Sequence, residues 1–347
     1  MRDKKVIVTG GAGFIGSEMV RTLVLKQNCD VLTIDKLSYA SSLDSLESLK
    51  SHSRHRFLQL DLCSHKNLSE AVAEFQPDVV FHFAAESHVD RSISGPKAFV
   101  DSNVTGTFNL LEACRSYWKT LAVNLRKKFR FVHVSTDEVF GSLGDSGFFD
   151  ENSPYQPNSP YSASKAASDH LVRAWFHTYE FPTITSNCSN NFGPFQHPEK
   201  LIPQTIARAV AGEPIPVYGK GTNVRDWLFV EDHVQALLLM AQSGVPGEVY
   251  CVGCKNERNN LEIVKSICAL LNRKLPQRKR EDLNSLIEFV ADRPGHDFRY
   301  AINPAKIQSK LGFAAKSQFE LQLEHTIDWY LNNGEWVAQA LKRTKGN

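Results

Sequence analysis

Val6-Ile7-Val8-Thr9-Gly10-Gly11-Ala12-Gly13-Phe14-Ile15-Gly16 reads as a short apolar strand, a glycine-rich turn and the start of a helix running to about Gln27. The glycines match G-x-x-G-x-x-G at Gly10, Gly13 and Gly16, and also G-x-G-x-x-G at Gly11, Gly13 and Gly16. A residue without Cβ permits the tight turn and lets the backbone approach a pyrophosphate at a helix N-terminus, where free N–H groups favour anions. A strand before and a helix after are the context such a loop needs.

Outward from this turn, Val31-Leu32-Thr33-Ile34 is a second strand, and it ends at Asp35, about 20 residues past the glycines. A carboxylate there accepts hydrogen bonds from an adenosine ribose and repels a 2′-phosphate, so the pattern points to NAD and not NADP. Phe57-Leu58-Gln59-Leu60-Asp61 is a third strand, with Asp61 placed to meet the adenine edge. Asp78 to Ala85 is a fourth, nearly continuous in its apolar residues as a strand buried on both faces should be. It runs into Glu86-Ser87-His88-Val89-Asp90-Arg91, a polar cluster at a strand's carboxyl end, where open α/β sheets bind ligands. His82, His88 and Asp90 follow no common ligand spacing, so no metal is expected there. Strands alternating with helical stretches predict an α/β protein with a Rossmann-type, doubly wound parallel sheet.

The densest chemistry follows the fifth strand, Phe131-Val132-His133-Val134, which ends in Ser135, Thr136, Asp137 and Glu138. Adjacent carboxylates raise the cost of ionising one another. Enzymes use that arrangement when one group must stay protonated as an acid while its neighbour acts as a base. Tyr161 and Lys165 then stand where a helix begins, one turn apart on the same face. A nearby ammonium favours phenolate, so Tyr161 is expected to serve as a base near neutral pH. The intervening loop, Gly141 to Pro160, is either a flap over the site or an ordinary surface excursion. Phe99 to Trp118 reads as an amphipathic helix with Phe99, Val104, Phe108, Leu111 and Cys114 near one face.

The composition excludes several classes. A formal net charge of +2 gives no sign of a nucleic-acid or anionic-membrane partner. The most basic run, Arg278-Lys279-Arg280, is followed at once by Glu281-Asp282 and reads as solvated surface. Seven scattered cysteines fit reduced thiols in a cytoplasmic protein, and Cys251-Val252-Gly253-Cys254 lacks the second pair of a metal site. The charged start at Met1 to Lys5 shows no signal-peptide pattern, so no leader is expected there, and no apolar stretch approaches the roughly 20 residues of a membrane-spanning helix.

After Cys188 the pattern changes to turn-rich segments: Ser189 to Pro194, Pro198 to Lys200, and Pro214 to Gly219. A helix over 230–242 is expected to return its apolar side to the first domain. Arg225 and Arg293 are the best candidates for a diphosphate, because a planar fork pairs two oxygens at once.

Together the glycine loop, Asp35 and Tyr161-x-x-x-Lys165 resemble the extended short-chain dehydrogenase/reductases that act on nucleotide sugars. Within that class the chain closely resembles the dTDP-glucose 4,6-dehydratase family. The shared stretches are Gly10 to Gly16, Asp35 to Ala40, Ala84 to Ile93, Ser135 to Gly141 and Ser159 to Lys165. They continue with Ser189 to Gln196, Pro198 to Pro203, Pro216 to Asp232 and Asp292 to Tyr300. Thr136-Asp137-Glu138 is the specific one, absent from the general reductase class.

The resemblance implies a redox-neutral loss of water. Tyr161 takes the C4 hydroxyl proton with Lys165 and Thr136 orienting, Glu138 removes the C5 proton, and protonated Asp137 donates to the departing C6 hydroxyl. It further implies NAD contacts from Gly10, Gly13, Phe14, Ile15, Gly16, Asp35, Lys36, Leu37, Ser38, Asp61, Leu62, Ala84, Ala85, Ser102, Tyr161, Lys165 and Asn191. Nucleotide-sugar contacts fall to Ser87, Thr136, Asn190, Lys200, Leu201, Pro216, Tyr218, Arg225, Asn260, Arg293 and His296. The sequence departs from the family at Phe140, commonly Tyr, and Ser38, commonly Thr. A homodimer through the helices after Phe99 and Tyr161 is implied. So are an NAD-binding domain over 1–188 and 225–254 and a smaller mixed α/β nucleotide-sugar lobe over 189–224 and 255–347. The rival readings are a 4-epimerase or a 4,6-dehydratase of another nucleotide sugar, and a non-catalytic NAD-binding module.

Overall fold

The computed structural model describes residues 1–275, 282–316 and 318–345; the basic run at 278–280 lies outside the described residues. Its strands are β1 (Lys5–Thr9), β2 (Asp30–Asp35), β3 (His55–Gln59), β4 (Val79–His82), β5 (Arg130–Thr136) and β6 (Thr183–Cys188). They continue with β7 (Asn190–Phe192), β8 (Ile215–Tyr218), β9 (Val224–Phe229), β10 (Val249–Val252), β11 (Glu257–Asn259) and β12 (Ile287–Val290). Seven of them form one sheet in the order β10-β6-β5-β4-β1-β2-β3, and every pairing in it is parallel. The order reverses between β1 and β4, and such a switch point opens a crevice at the strands' carboxyl ends.

Alternation along each strand builds a core on both faces of this sheet. Val6 and Val8 pack on one side with Met19, Leu23, Val132, Val134 and Leu237. Ile7 packs on the other with Ile34, Val80, Leu110, Phe131 and Phe181. That is why β1 and β4 read as unbroken apolar runs. The helix Val230–Ser243 contributes Val234, Leu237 and Leu238 to the first of these cores, as its apolar side predicted.

A separate core gathers Phe192, Ile202, Ile206, Trp227, Ile263, Ile267 and Ile327 around two small sheets, β11-β9-β7 and β12-β8. The chain returns to the large sheet at Ala305–Leu311, whose Ile307 joins its core.

Two local readings differ from the structure. β4 ends at His82, three residues short of the expected Ala85, so Phe83 to Ala85 are free to form the cleft wall. The helix expected over 99–118 starts at Pro96, passes through a wider turn at Val100–Thr105 and ends at Thr120. Of its supposed apolar face, Phe99, Leu111 and Cys114 are buried, but Phe108 is 42% exposed and stacks edge-on against Trp175. The loop after β5 is pinned, with Leu143 bridged to Arg299, Phe149 bridged to Ile302, and Phe140 stacked on Phe149.

Candidate active site

A cleft of about 300 Å³ opens at the switch point. Its floor is the glycine turn. Gly10 adopts φ +68°, and a Cβ there would lie 2.6 Å from the Ala84 nitrogen; one on Gly16 would lie 2.2 Å from the Gly10 carbonyl oxygen. Only glycine lets this turn lie so close to the strand-end backbone and still leave room for a ligand at the helix Phe14–Arg21. Asp35 closes the turn. Its Oδ2 accepts from the Ala12 N–H at 3.0 Å and its Oδ1 from the Leu37 N–H at 2.8 Å. A carboxylate has about four lone-pair sites, so both oxygens keep capacity for ribose hydroxyls.

Around this floor the cleft is lined by Gly10, Gly13, Phe14, Ile15, Gly16, Asp35, Lys36, Ser38, Asp61, Leu62, Ala84, Ala85, Ser102 and Asn191. Of the residues expected to meet a dinucleotide, Leu37 is the exception; it turns back at φ 59° and packs on the sheet core. The Lys36 ammonium is held by Glu86 Oε1 at 2.7 Å and donates to Ser102 Oγ at 2.8 Å.

The far wall carries the acid-base groups. Thr136 caps a single turn, Asp137–Phe140, its Oγ1 accepting from the Glu138 N–H at 3.2 Å. That turn sends the two carboxyls in different directions. Glu138 faces the cleft with Thr136, Tyr161 and Lys165, whereas Asp137 lies beneath it and is 1% exposed. Burial, with the Glu138 charge second, holds the Asp137 carboxyl well above the usual range, and its Oδ2 has no hydrogen-bond partner. Burial also raises Glu138, but Arg293, Arg225 and Lys200 pull it back, so Glu138 is the partner that ionises first. Burial raises both carboxyls, and the cations around Glu138 are what set the two apart.

Tyr161 is presented by the first turn of the helix Pro160–Tyr179. Ser159 and Ser162 form a capping box, each side chain accepting from the other's backbone N–H at 3.0 Å, and Pro160 sets the first helical φ. The expected lowering of the Tyr161 phenol by Lys165 is not what the protein alone provides. Burial and the Glu138 carboxylate push the phenol well above its ordinary value, with the Thr136 hydroxyl acting the other way. Lys165 instead donates to the Val134 carbonyl at 2.8 Å, and burial lowers its own affinity for a proton.

The remaining candidates fall in three groups. Ser87, Asn190 and Lys200 line the same cleft, where Lys200 Nζ donates to the Ser87 carbonyl at 2.9 Å. Tyr218, Arg293 and His296 cluster beside it: Tyr218 donates to Asp90 Oδ2 at 3.2 Å, Arg293 pairs with Asp90 Oδ1 at 3.5 Å, and His296 meets Asp292 at 2.6 Å. Arg225 is buried, donates to the Val224, Phe298 and Asp297 carbonyls, and stacks 4.2 Å over the Tyr300 ring. Leu201, Pro216 and Asn260 are not cleft-lining; they begin the helix Leu201–Ala211, sit in β8, and begin the helix Asn260–Lys274. The sequence reading gave no cofactor or substrate contact to Ser135, Ser189, Gln196 and Glu199, all of which line the cleft. Glu199 accepts from the Tyr39 hydroxyl at 3.0 Å, a contact across 160 residues that no local pattern signals.

His82 is a satisfied core histidine, its ring nitrogens 2.8 Å from the Thr9 hydroxyl and 2.9 Å from that of Thr107. No group of three or more His, Cys, Asp or Glu among the described residues is arranged to hold a metal ion.

Residues 7–326 match the family model described as GDP-mannose 4,6 dehydratase. The chain is 53% identical over 335 residues to the dTDP-glucose 4,6-dehydratase of Xanthomonas campestris pv. campestris, covering 96% of this chain and 95% of that protein. The chain belongs to the dTDP-glucose 4,6-dehydratase family. The family member of Neisseria meningitidis serogroup B is 51% identical over 344 residues, covering 97% of this chain and 96% of its own length. The crystal structure of the Bacillus anthracis dTDP-glucose 4,6-dehydratase, solved in complex with NAD, superposes with a TM-score of 0.85. That structure is 40% identical, covering 96% of this chain and 99% of its own. The Rossmann-type sheet expected from the glycine turn is thus the fold of this family.

Proposed function

We propose that this chain converts dTDP-glucose to dTDP-4-keto-6-deoxyglucose and water with NAD as a resident cofactor. The observation that carries the reading is the placement of two adjacent carboxyls, Asp137 buried, which pushes its carboxyl well up, and Glu138 facing the cleft beside Tyr161 and Lys165. A 4-epimerase needs Tyr161 and Lys165 but has no use for an acid and a base that together remove water.

The glycine cradle, which a Cβ would fill, and the Asp35 carboxylate fit NAD. Bound there, NAD would supply the acceptor for hydride from sugar C4 and the donor of hydride to C6, which would make the reaction redox-neutral. The positive charge of the oxidised cofactor, held in this cleft, would also oppose what burial does to the Tyr161 phenol. Tyr161 takes the C4 hydroxyl proton, with the Thr136 hydroxyl and the Lys165 ammonium orienting the two oxygens. The 4-ketone acidifies the C5 hydrogen, so oxidation precedes elimination. Glu138 then removes that proton while Asp137 donates its own to the leaving C6 hydroxyl. Lys200, Arg225 and Arg293, which already bias Glu138 toward its anion, supply the positive field for the substrate diphosphate.

We assign the protein to the cytoplasm, in keeping with seven free cysteines, and to a homodimer. The dimer reading is supported by Val100, Phe108 and Tyr179, exposed at 51%, 42% and 41% on the two helical stretches expected to pair. The test of function is purified protein with dTDP-glucose deuterated at C4, the product examined by mass spectrometry and NMR. Loss of one water with deuterium on C6 is expected. A C4-inverted sugar with no water lost makes the protein an epimerase, and no reaction points to another nucleotide sugar.

A further inference from the structure

Behind the cleft wall lies a buried polar cluster that the reaction above does not use. Asp169 follows Lys165 by one helical turn and is 4% exposed. Its Oδ1 lies 3.0 Å from His133 Nε2, and its Oδ2 accepts from Ser135 Oγ at 2.8 Å, the Tyr155 hydroxyl at 2.9 Å and Asn187 Nδ2 at 3.2 Å. These partners come from β5, β6 and the loop after β5. The Asn187 amide donates also to the Thr136 carbonyl at 3.1 Å. One carboxylate thus ties together the strand that ends in Thr136, its neighbour strand and the loop leading to Tyr161.

Its charge has a second use. Lys165 is itself 4% exposed, and a buried ammonium is costly without a counter-charge. The titratable side chains that face it are Asp169, Cys188, His133 and His82. Burial keeps both imidazoles neutral, taking His133 down to about 4 and His82 well below 6.5. Burial pushes the Cys188 thiol far up, so it carries no charge at neutral pH. Burial also pushes Asp169 up, but the hydrogen bond from His133, the nearby Lys165 charge and the Ser135 hydroxyl outweigh it and hold the carboxyl below its ordinary value. Among the described residues, Asp169 is the fixed anion of this set.

We propose that Asp169 is a positioning residue for the dehydration. It fixes the strand end that carries Thr136 and supplies the counter-charge that keeps Lys165 an ammonium while Tyr161 exchanges its proton. The inference rests on the dehydratase reading above.

The test is the pH dependence of kcat and KM for water loss from dTDP-glucose, for the full-length protein and its Asp169→Asn and Tyr155→Phe variants. Losing an opposite charge at close range shifts a pKa by roughly 1–3 units. In Asp169→Asn the alkaline limb of kcat should therefore move down by about one unit or more, with KM little changed. Tyr155→Phe, which loses one hydrogen bond and no charge, should leave the limb in place. An unmoved limb in Asp169→Asn, with only yield or melting temperature reduced, overturns the proposal in favour of a merely structural role. Should Asp169→Asn not fold, Asp169→Glu carries the test: the limb stays while kcat falls, and a shifted limb with the charge retained overturns it. An inactive wild type overturns this inference together with the dehydratase reading, whereas an active wild type with an unmoved limb overturns this inference alone.

Discussion

Asp137 should make the protein less stable than it could be, and Asp137→Asn exposes that cost. The carboxyl is 1% exposed, one oxygen is unpartnered, and burial keeps it protonated far above 3.8. The unfolded chain gives up that proton near 3.8, whereas the folded protein retains it. An acid raised in this way contributes least cost below its unfolded value, and stability declines as pH rises toward the folded value. Each pH unit of retained protonation costs about 1.4 kcal/mol, which sets a ceiling of about 4 kcal/mol at pH 7. Asn has the same shape and does not titrate. Urea unfolding at a fixed NAD concentration should show the variant more stable at pH 7, by an amount up to that ceiling that shrinks toward zero near pH 4. Turnover should fall by roughly 10²–10⁴-fold, the usual contribution of a general acid. A stability gain that stays constant between pH 5 and 8, or a variant less stable than wild type throughout, refutes the reasoning.

Glu138→Gln should stall after C4 oxidation, with reduced cofactor accumulating in the ultraviolet spectrum and the C6 hydroxyl retained in the product. Gly16→Ala, whose Cβ would sit 2.2 Å from the Gly10 carbonyl oxygen, must shift the turn; NAD affinity by calorimetry should fall by about tenfold or more, in line with overpacking costs of roughly 1–3 kcal/mol. Under the proposed homodimer, Phe108→Glu should yield monomers in sedimentation experiments without unfolding the chain, because the side chain is already 42% exposed. A variant that sediments like wild type would remove Phe108 from the interface.

Much of the fold was legible because its signals are local. A strand, a turn without Cβ and a helix within residues 5–21 dictate a dinucleotide crevice, and Asp35 follows at the end of the next strand. Ser159, Pro160 and Ser162 write their own helix cap, so the placement of Tyr161 and Lys165 also follows from neighbours in the chain. The acidity of the groups was not legible in the same way. Asp137 and Glu138 are adjacent and nearly identical chemically, and what separates them is that one turn buries the first and faces the second toward Arg225, Arg293 and Lys200. Those three cations arrive from residues 62 to 155 positions further on. For Tyr161 the sequence supplied the ammonium one turn away but not the burial that pushes its phenol up. Nor did it supply Asp169's partners, which lie 14 to 36 residues distant on two strands and a loop. By itself, then, the sequence determined which chemistry-bearing residues stand at which strand ends, because backbone geometry and periodicity act over a few residues. Only the tertiary structure decided which of them keep their protons, because desolvation and charge act through space, between groups that the chain does not bring together until it has folded.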